Sequence, residues 1–364
     1  EISQWLLDHG AKVNARDESG KIPLHQAARR GHIKVARLLL DRGANVGEKN
    51  LSGASPLHFA ARYQDCPKMA ELLIERRASI NEVDPFGLTP LHYAAQSARG
   101  QIVRYLVGAG AEINQTDDNG LTALDYLVKK GAREDIEFLI AEGATFNKVD
   151  SFGRTPLHHA AEMGNVEAVS LLIEKGLDVN TVDKRGMTSL HAAADICGNI
   201  ELDQAAVMRK KEVASLLIET GAQVKQGDKD GLTPLHYAAK NGYLEVMKLL
   251  IDKGAKVNAV DNYGSTPLNR AVGFGCFIRY DLDSIKLLIE NGADCMQTLS
   301  SNFHSAQQPI DLFKPRQGLP DIVEEKRATI YEYLQEQMNL ASSSRKRERD
   351  ADEDASGSKR AKES

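Results

Sequence analysis

Ten histidines and four cysteines are the residues of this chain whose types could do chemistry. A zinc site needs several thiolates or imidazoles converging on one point. Cys66, Cys197, Cys276 and Cys295 form no C-x-x-C, and none lies near a spaced histidine pair, so no metal-ligand spacing is present. Four cysteines are too sparse here for a disulfide framework and read as free thiols of a reducing compartment. Acid–base work would set histidines beside an acid or a nucleophile. Instead His25, His58, His92, His158, His191 and His236 each follow a leucine in one recurring phrase, which marks a repeat rather than a catalytic cluster. There is no G-x-x-x-x-G-K, no G-x-G-x-x-G after a strand, no H-E-x-x-H and no serine or cysteine nucleophile phrase. Neither an enzyme nor a cofactor is expected.

Composition bounds the class. Of 364 residues, 42% are hydrophobic and 27% charged, with a formal net charge of −5, a balance that argues against wholesale disorder. It gives no globally basic surface, so nucleic acid is not an expected partner. No stretch approaches the ~18 apolar residues of a membrane span. The chain opens on Glu1 without a charged-then-apolar signal segment, and we read it as a piece of something longer.

The elements that position the histidines emerge from self-comparison. A phrase of Asp or Asn, two residues and Gly, then x-Thr-Pro-Leu-His-x-Ala-Ala in varying completeness, begins at Asp17, Asn50, Asp84, Asp117, Asp150, Asp183, Asp228 and Asp261. The intervals are 33, 34, 33, 33, 33, 45 and 33 residues. In the unit from Asp150, Asp150–Gly153 predicts a turn whose glycine takes positive φ. Thr155 predicts a cap through its hydroxyl, and Pro156 the first helical position. Ala160 and Ala161 leave room for a neighbouring helix, and Gly164 and Gly176 end two helices. Val169, Leu172 and Ile173 share one face. One unit cannot cover that face alone, so units must stack.

Thr-Pro-Leu-His is complete at Thr89–His92, Thr155–His158 and Thr233–His236. With eight units in register, the chain resembles the ankyrin-repeat family over roughly residues 1–298. The resemblance implies a mainly α fold, a solenoid of stacked β-turn and helix-turn-helix units. It also implies that each repeat histidine hydrogen-bonds within its own turn and across to the next repeat. Residues 1–16 then read as the back half of an upstream repeat and 17–298 as eight repeats. Residues 299–340 read as a degenerate C-terminal capping repeat, and 341–364 as a disordered charged tail.

Several units depart from the pattern. Ala123 and Asp125 stand where Pro and His are usual, Asn269 replaces His, and Ser189 replaces Pro; softer spots are expected there. Insertions near 200–211 and 276–280 fall between the two helices of their units and are expected on one side of the array, as tolerated loops or a second binding surface. Trp5, Leu6 and Leu7 would leave an exposed flank without further repeats upstream. In the tail, Lys346 and Arg347, then eleven residues, then Lys359, Arg360 and Lys362 look like a bipartite nuclear localisation signal read by a nuclear import receptor. A solvated tail and weak nucleic-acid contact are the alternatives.

These features read as a non-enzymatic, monomeric scaffold or adaptor of the nucleus or cytoplasm that binds a protein partner on the concave face of the array. One alternative is the targeting module of a larger enzyme or effector whose active domain lies upstream of residue 1. Another is a secreted array resembling the latrotoxins. In the family, partners are held by turn tips and by the exposed edge of the first helix. That assigns Phe86, Phe152, Arg185 and Tyr263 at the tips, and Arg29, Arg30, Arg62, Tyr63, Lys129, Lys130, Glu162 and Met163 along the edge. The position after the repeat histidine (Phe59, Tyr93, Tyr126, His159 and Tyr237) is left open between partner contact and packing. Asn81, Asn114, Asn180 and Asn258 end their repeats, each with a leucine eight residues earlier. By analogy to the family they are candidates for asparagine hydroxylation, against a role in bonding the turn.

Overall fold

The computed structural model describes residues 2–195, 204–272, 282–294, 328–340 and 342–343. Two compact units meet in sequence at Lys184 and Arg185. The first opens with α1 (Ile2–Asp8), whose Trp5 and Leu6 are exposed. Helix pairs follow: α2 (Pro23–Arg30) and α3 (Ile33–Asp41), α4 (Pro56–Tyr63) and α5 (Lys68–Glu75), α6 (Pro90–Gln96) and α7 (Gly100–Gly108). Then come α8 (Ala123–Lys130) and α9 (Arg133–Ala141), α10 (Pro156–Met163) and α11 (Val166–Glu174). First helices pack in series, α2 on α4 on α6 on α8 on α10. Ala28, Ala61, Ala95 and Ala161 are fully buried on them, small enough to let the axes approach. Leu24, Leu57, Leu91, Leu124 and Leu157 fill the core beside them.

Each pair is preceded by a turn built on its first carboxylate or amide. Asp150 Oδ1 accepts from the Phe152 and Arg154 amides at 2.8 and 2.9 Å. Asp17, Asn50, Asp84 and Asp117 do the same in their own turns. The turn glycine has two constraints: Gly20 has φ 75°, and a Cβ there would lie 2.9 Å from the Leu51 nitrogen of the next turn, so only glycine fits. That approach permits a hydrogen bond from turn to turn, Leu51 N–H to the Ser19 carbonyl at 3.0 Å, and likewise Ser151 to Asn119 at 2.8 Å. Pro85 occupies the donating position of the Asp84 turn and has no N–H to give.

The second unit holds α12 (Ser189–Ala194) with α13 (Gln204–Glu219), α14 (Pro234–Asn241) with α15 (Leu244–Asp252), and α16 (Pro267–Val272) with α17 (Leu282–Glu290). Residues 328–340 form α18, with Ile330 and Leu334 buried. Helix α13 runs 16 residues against 9 for α15. Residues 204–211 of the expected inserted loop are therefore helical. They contain Ala, Met, Arg, Lys and Gln and neither Gly nor Pro, so nothing stops the second helix from extending backwards. The extension brings a buried Lys210 over the end of α12. Its Nζ donates to the carbonyls of Asp195 at 2.6 Å, Ala192 at 3.3 Å and Ala193 at 3.4 Å. A cation there complements the carbonyl end of a helix that ends on Asp195 rather than glycine. Residues 200–203, the insertion at 276–280, residues 299–327 and the tail positions Lys346, Arg347, Lys359, Arg360 and Lys362 lie outside the described residues. Among the described residues no helix is long and apolar enough to cross a membrane.

Candidate partner-binding surface

The repeat histidines are joints between repeats. His92 is buried; its Nδ1 accepts the Thr89 N–H at 3.1 Å and lies 2.8 Å from the Thr89 hydroxyl. Its Nε2–H donates to the Leu121 carbonyl of the next repeat at 3.2 Å. The same clamp joins His25 to Ala54, His58 to Leu88, His191 to Leu232 and His236 to Ser265. Accepting on Nδ1 while donating from Nε2 requires the neutral ring. Burial favours that form: it pushes His58 down to about 4 and lowers His25, His92 and His236, with the carbonyl bonds opposing only in part. The Thr155 hydroxyl, expected to cap α10, takes part in a capping box with His158 and also lies 2.8 Å from His158 Nδ1. Where histidine is missing, half the clamp survives. Asp125 Oδ2 takes the Thr122 N–H and hydroxyl, both at 2.8 Å, and Asn269 Oδ1 does the same for Thr266. Burial raises the Asp125 carboxyl despite those bonds.

The position after the histidine resolves in favour of packing. The hydroxyl of Tyr93 donates to Asp84 Oδ2 at 2.9 Å, that of Tyr126 to Asp117 at 2.6 Å, and that of Tyr237 to Asp228 at 2.7 Å. His159 Nε2 lies 3.2 Å from Asp150 Oδ2, and Arg270 pairs with Asp261. Burial acts to raise the Asp150 carboxyl, but His159, the Arg154 and Phe152 amides and the Arg154 charge outweigh it and hold it well below its usual range. The exception fits: Phe59, with no polar atom, faces a turn that begins with Asn50. This coupling could have been read from the Tyr, His or Arg nine places after Asp84, Asp117, Asp150, Asp228 and Asp261; Asp17 and Asp183 have Gln26 and Ala192 there.

The expected contact residues separate by exposure. Phe86 is 63% and Phe152 56% exposed at their turn tips, with the Arg154 guanidinium 5.2 Å over the Phe152 ring. Tyr263 and Arg185 are exposed on the second unit, where Arg185 also donates to the Tyr237 hydroxyl at 3.2 Å. Arg29, Arg30, Arg62, Tyr63, Lys130 and Met163 are exposed. Lys129 and Glu162 are drawn inwards: Lys129 Nζ lies 5.6 Å over Tyr126, and Glu162 pairs with Arg154 at 3.5 Å. Arg29, Arg62 and Tyr63 border a cleft of about 260 Å³ that also takes in Lys21, Phe59 and Tyr93. Structure thus gathers the basic and aromatic residues of the first repeats in one place and leaves the phenylalanine tips as separate exposed points.

Asn81, Asn114 and Asn258 bond the neighbouring repeat. Asn114 Nδ2 donates to the Gly143 carbonyl at 3.0 Å and its Oδ1 accepts the Thr145 N–H at 2.8 Å. Asn258 spans Gly292 and Asp294 in the same way, and Asn81 accepts from Glu112 at 2.9 Å. The Asn180 backbone N–H donates to Asp178 Oδ1 in its own repeat at 2.9 Å. Cys66 is exposed; the other three cysteines lie outside the described residues.

Turn, paired helices and histidine clamp define a helical repeat array. The family model for ankyrin repeats in three copies matches residues 1–84, 57–150, 127–202 and 202–298. The chain belongs to the ankyrin-repeat family. No curated protein matches it. Ankyrin repeats generally mediate protein–protein interaction, and the family is typically non-enzymatic.

Proposed function

We propose that this chain is a non-enzymatic adaptor that holds a protein partner against the turn tips and the open face of its first helices. One observation carries the reading: Phe86 and Phe152 stand more than half exposed at the tips while the polar side chains behind them are committed to the turns. Large aromatics left in water without a packing role are the residue type that anchors interfaces. Arg29, Arg30, Arg62 and Tyr63 extend the surface and Lys130 and Met163 continue it within the first unit, while Arg185 and Tyr263 are proposed contacts of the second unit. The array acts as a monomer. Its basic tail clusters, Lys346–Arg347 and Lys359–Arg360–Lys362, would direct it to the nucleus through an import receptor, each cluster reinforcing the other through the tether. Hydroxylation would fall on Asn81, Asn114, Asn180 or Asn258, and at Asn81, Asn114 and Asn258 it would act on side chains that join repeats. The test is to replace Phe86 and Phe152 together by Ala. Partner capture is expected to weaken by about tenfold or more with the unfolding midpoint nearly unchanged. Undiminished capture would remove the tips from the interface.

A further inference from the structure

We infer that the cleft of the first repeats is a receptor for an acidic, extended segment of the protein partner, with carboxylates three residues apart. The inference rests on the adaptor reading and gives it a chemical class.

Four side chains alternate along the cleft. The Arg29 guanidinium carbon lies 4.9 Å from the Tyr63 ring centre; that of Arg62 lies 5.7 Å from Tyr63 and 5.7 Å from Tyr93. Phe59 stacks on Tyr63 at 6.0 Å, and Lys21 Nζ stands 5.8 Å over Phe59. A guanidinium that rests near a ring still has N–H groups to offer, and its fork matches a carboxylate two bonds at a time. Holding the forks in place beforehand removes much of the ordering cost of binding.

No carboxylate lines this cleft beside its cations. Elsewhere in the first unit Arg16 pairs with Glu48, Arg42 with Asp8, Arg76 with Asp41 and Arg104 with Asp135. Among the described residues, Lys21, Arg29, Arg30 and Arg62 form no ion pair. The nearby carboxylates are engaged in their turns. Asp17 accepts from Ser19 and Lys21 amides, and Asp84 from Phe86, Leu88 and the Tyr93 hydroxyl. A cleft lined by cations and by no carboxylate favours an anionic occupant.

Geometry sets the spacing. Arg29 and Arg62 hold equivalent positions in consecutive repeats, on the packed first helices α2 and α4. Packed helices lie about 8–10 Å apart, and an extended chain advances about 3.3 Å per residue. Carboxylates three residues apart therefore meet successive guanidiniums. A nucleic acid fits less well, because the cluster is short and the chain carries a net charge of −5.

The experiment uses the full chain and a fluorescent peptide of repeated Glu-Ser-Ser, read by anisotropy at low salt. A peptide of the same composition with its glutamates in one block and an oligothymidylate are run beside it. Saturable binding of the spaced peptide is expected, stronger than that of the blocked one. Arg29→Ala with Arg62→Ala should weaken it by about tenfold, with the unfolding midpoint unchanged. Arg29→Lys with Arg62→Lys should recover only part, since charge returns without the fork. Arg37→Ala with Lys175→Ala, on second helices, should change nothing. Absent binding, binding indifferent to Arg29 and Arg62, or tighter oligothymidylate binding at the same two arginines would overturn the inference. If the peptide fails while the Phe86 and Phe152 substitutions still release the partner, the acidic class falls and the adaptor reading stands. If both fail, the adaptor reading falls too.

Discussion

His58→Asn separates the two jobs of the repeat histidine. His58 Nδ1 accepts the Ser55 N–H at 3.1 Å, and Nε2–H donates to the Leu88 carbonyl at 3.1 Å. Asparagine can keep the first bond, as Asn269 does with the Thr266 N–H at 2.8 Å. It loses the second, between repeats, at a cost of about 1 kcal/mol. Near neutral pH the variant is therefore the less stable protein. Acid reverses the order. Burial pushes His58 from 6.5 down to about 4, so the unfolded chain takes up the proton first. Stability contributed by the neutral ring is full above the unfolded value and is lost as pH falls below 6.5 toward 4. At about pH 4.5 the wild type bears a penalty of about 2.5 kcal/mol at this one site, which the variant escapes. The other histidines titrate in both proteins and cancel in the difference. Urea unfolding of both proteins across this range should show the stability difference changing sign between about pH 5 and 6. A difference that stays constant with pH would refute the claim that His58 is clamped neutral.

Further outcomes follow from other sites. Asp125→Asn should raise the urea midpoint at neutral pH by about 0.5–1 kcal/mol of stability, because burial disfavours the carboxylate while the Thr122 bonds can pass to the amide oxygen; an unchanged or lower midpoint contradicts this. Lys210→Met keeps the chain's bulk but frees the end of α12, and should cost about 2–3 kcal/mol, read as faster hydrogen exchange in 189–195 and 204–219. Tyr93→Phe should cost about 1 kcal/mol through loss of the bond to Asp84 and leave His92 exchange protection nearly intact. A large inert reporter carrying residues 341–364 should accumulate in the nucleus, and fail to when Lys346 and Arg347 become Ala; a reporter that stays cytoplasmic whatever its tail removes the localisation reading.

The repeat was legible because its constraints are local. Turn Asp, turn Gly and Thr-Pro-Leu-His sit within one turn of chain, so the 33-residue phrase displays them directly. The histidine clamp was legible only through family resemblance, since its acceptor lies about thirty residues on, as from His92 to Leu121. The tyrosine-to-aspartate bonds were not read. Tyr93 and Tyr126 look like contact aromatics until their hydroxyls are seen on Asp84 and Asp117. The extension of α13 was expected as loop because comparison with shorter repeats marks extra residues without giving their conformation. Its composition carried the signal: helix formers from Gln204 to Lys211 with no breaker. For the candidate surface, sequence singled out Arg29, Arg62 and Tyr63 separately, and only coordinates placed them on alternate rungs. Lys129 and Glu162 are half-buried beside Tyr126 and Arg154, neighbours that could not be foreseen from type alone.

The central claim, a protein partner held on tips and first helices, is tested most directly by site-resolved photo-cross-linking in cell extract. A photoreactive residue is placed at Phe86, at Tyr63, or at Lys175 on the second helix α11, one position per protein. The account predicts that the Phe86 and Tyr63 positions cross-link to the same protein, identified by mass spectrometry, and that Lys175 does not. Cross-linking at Lys175 with none at Phe86 or Tyr63 would place the partner on the opposite helices and contradict it.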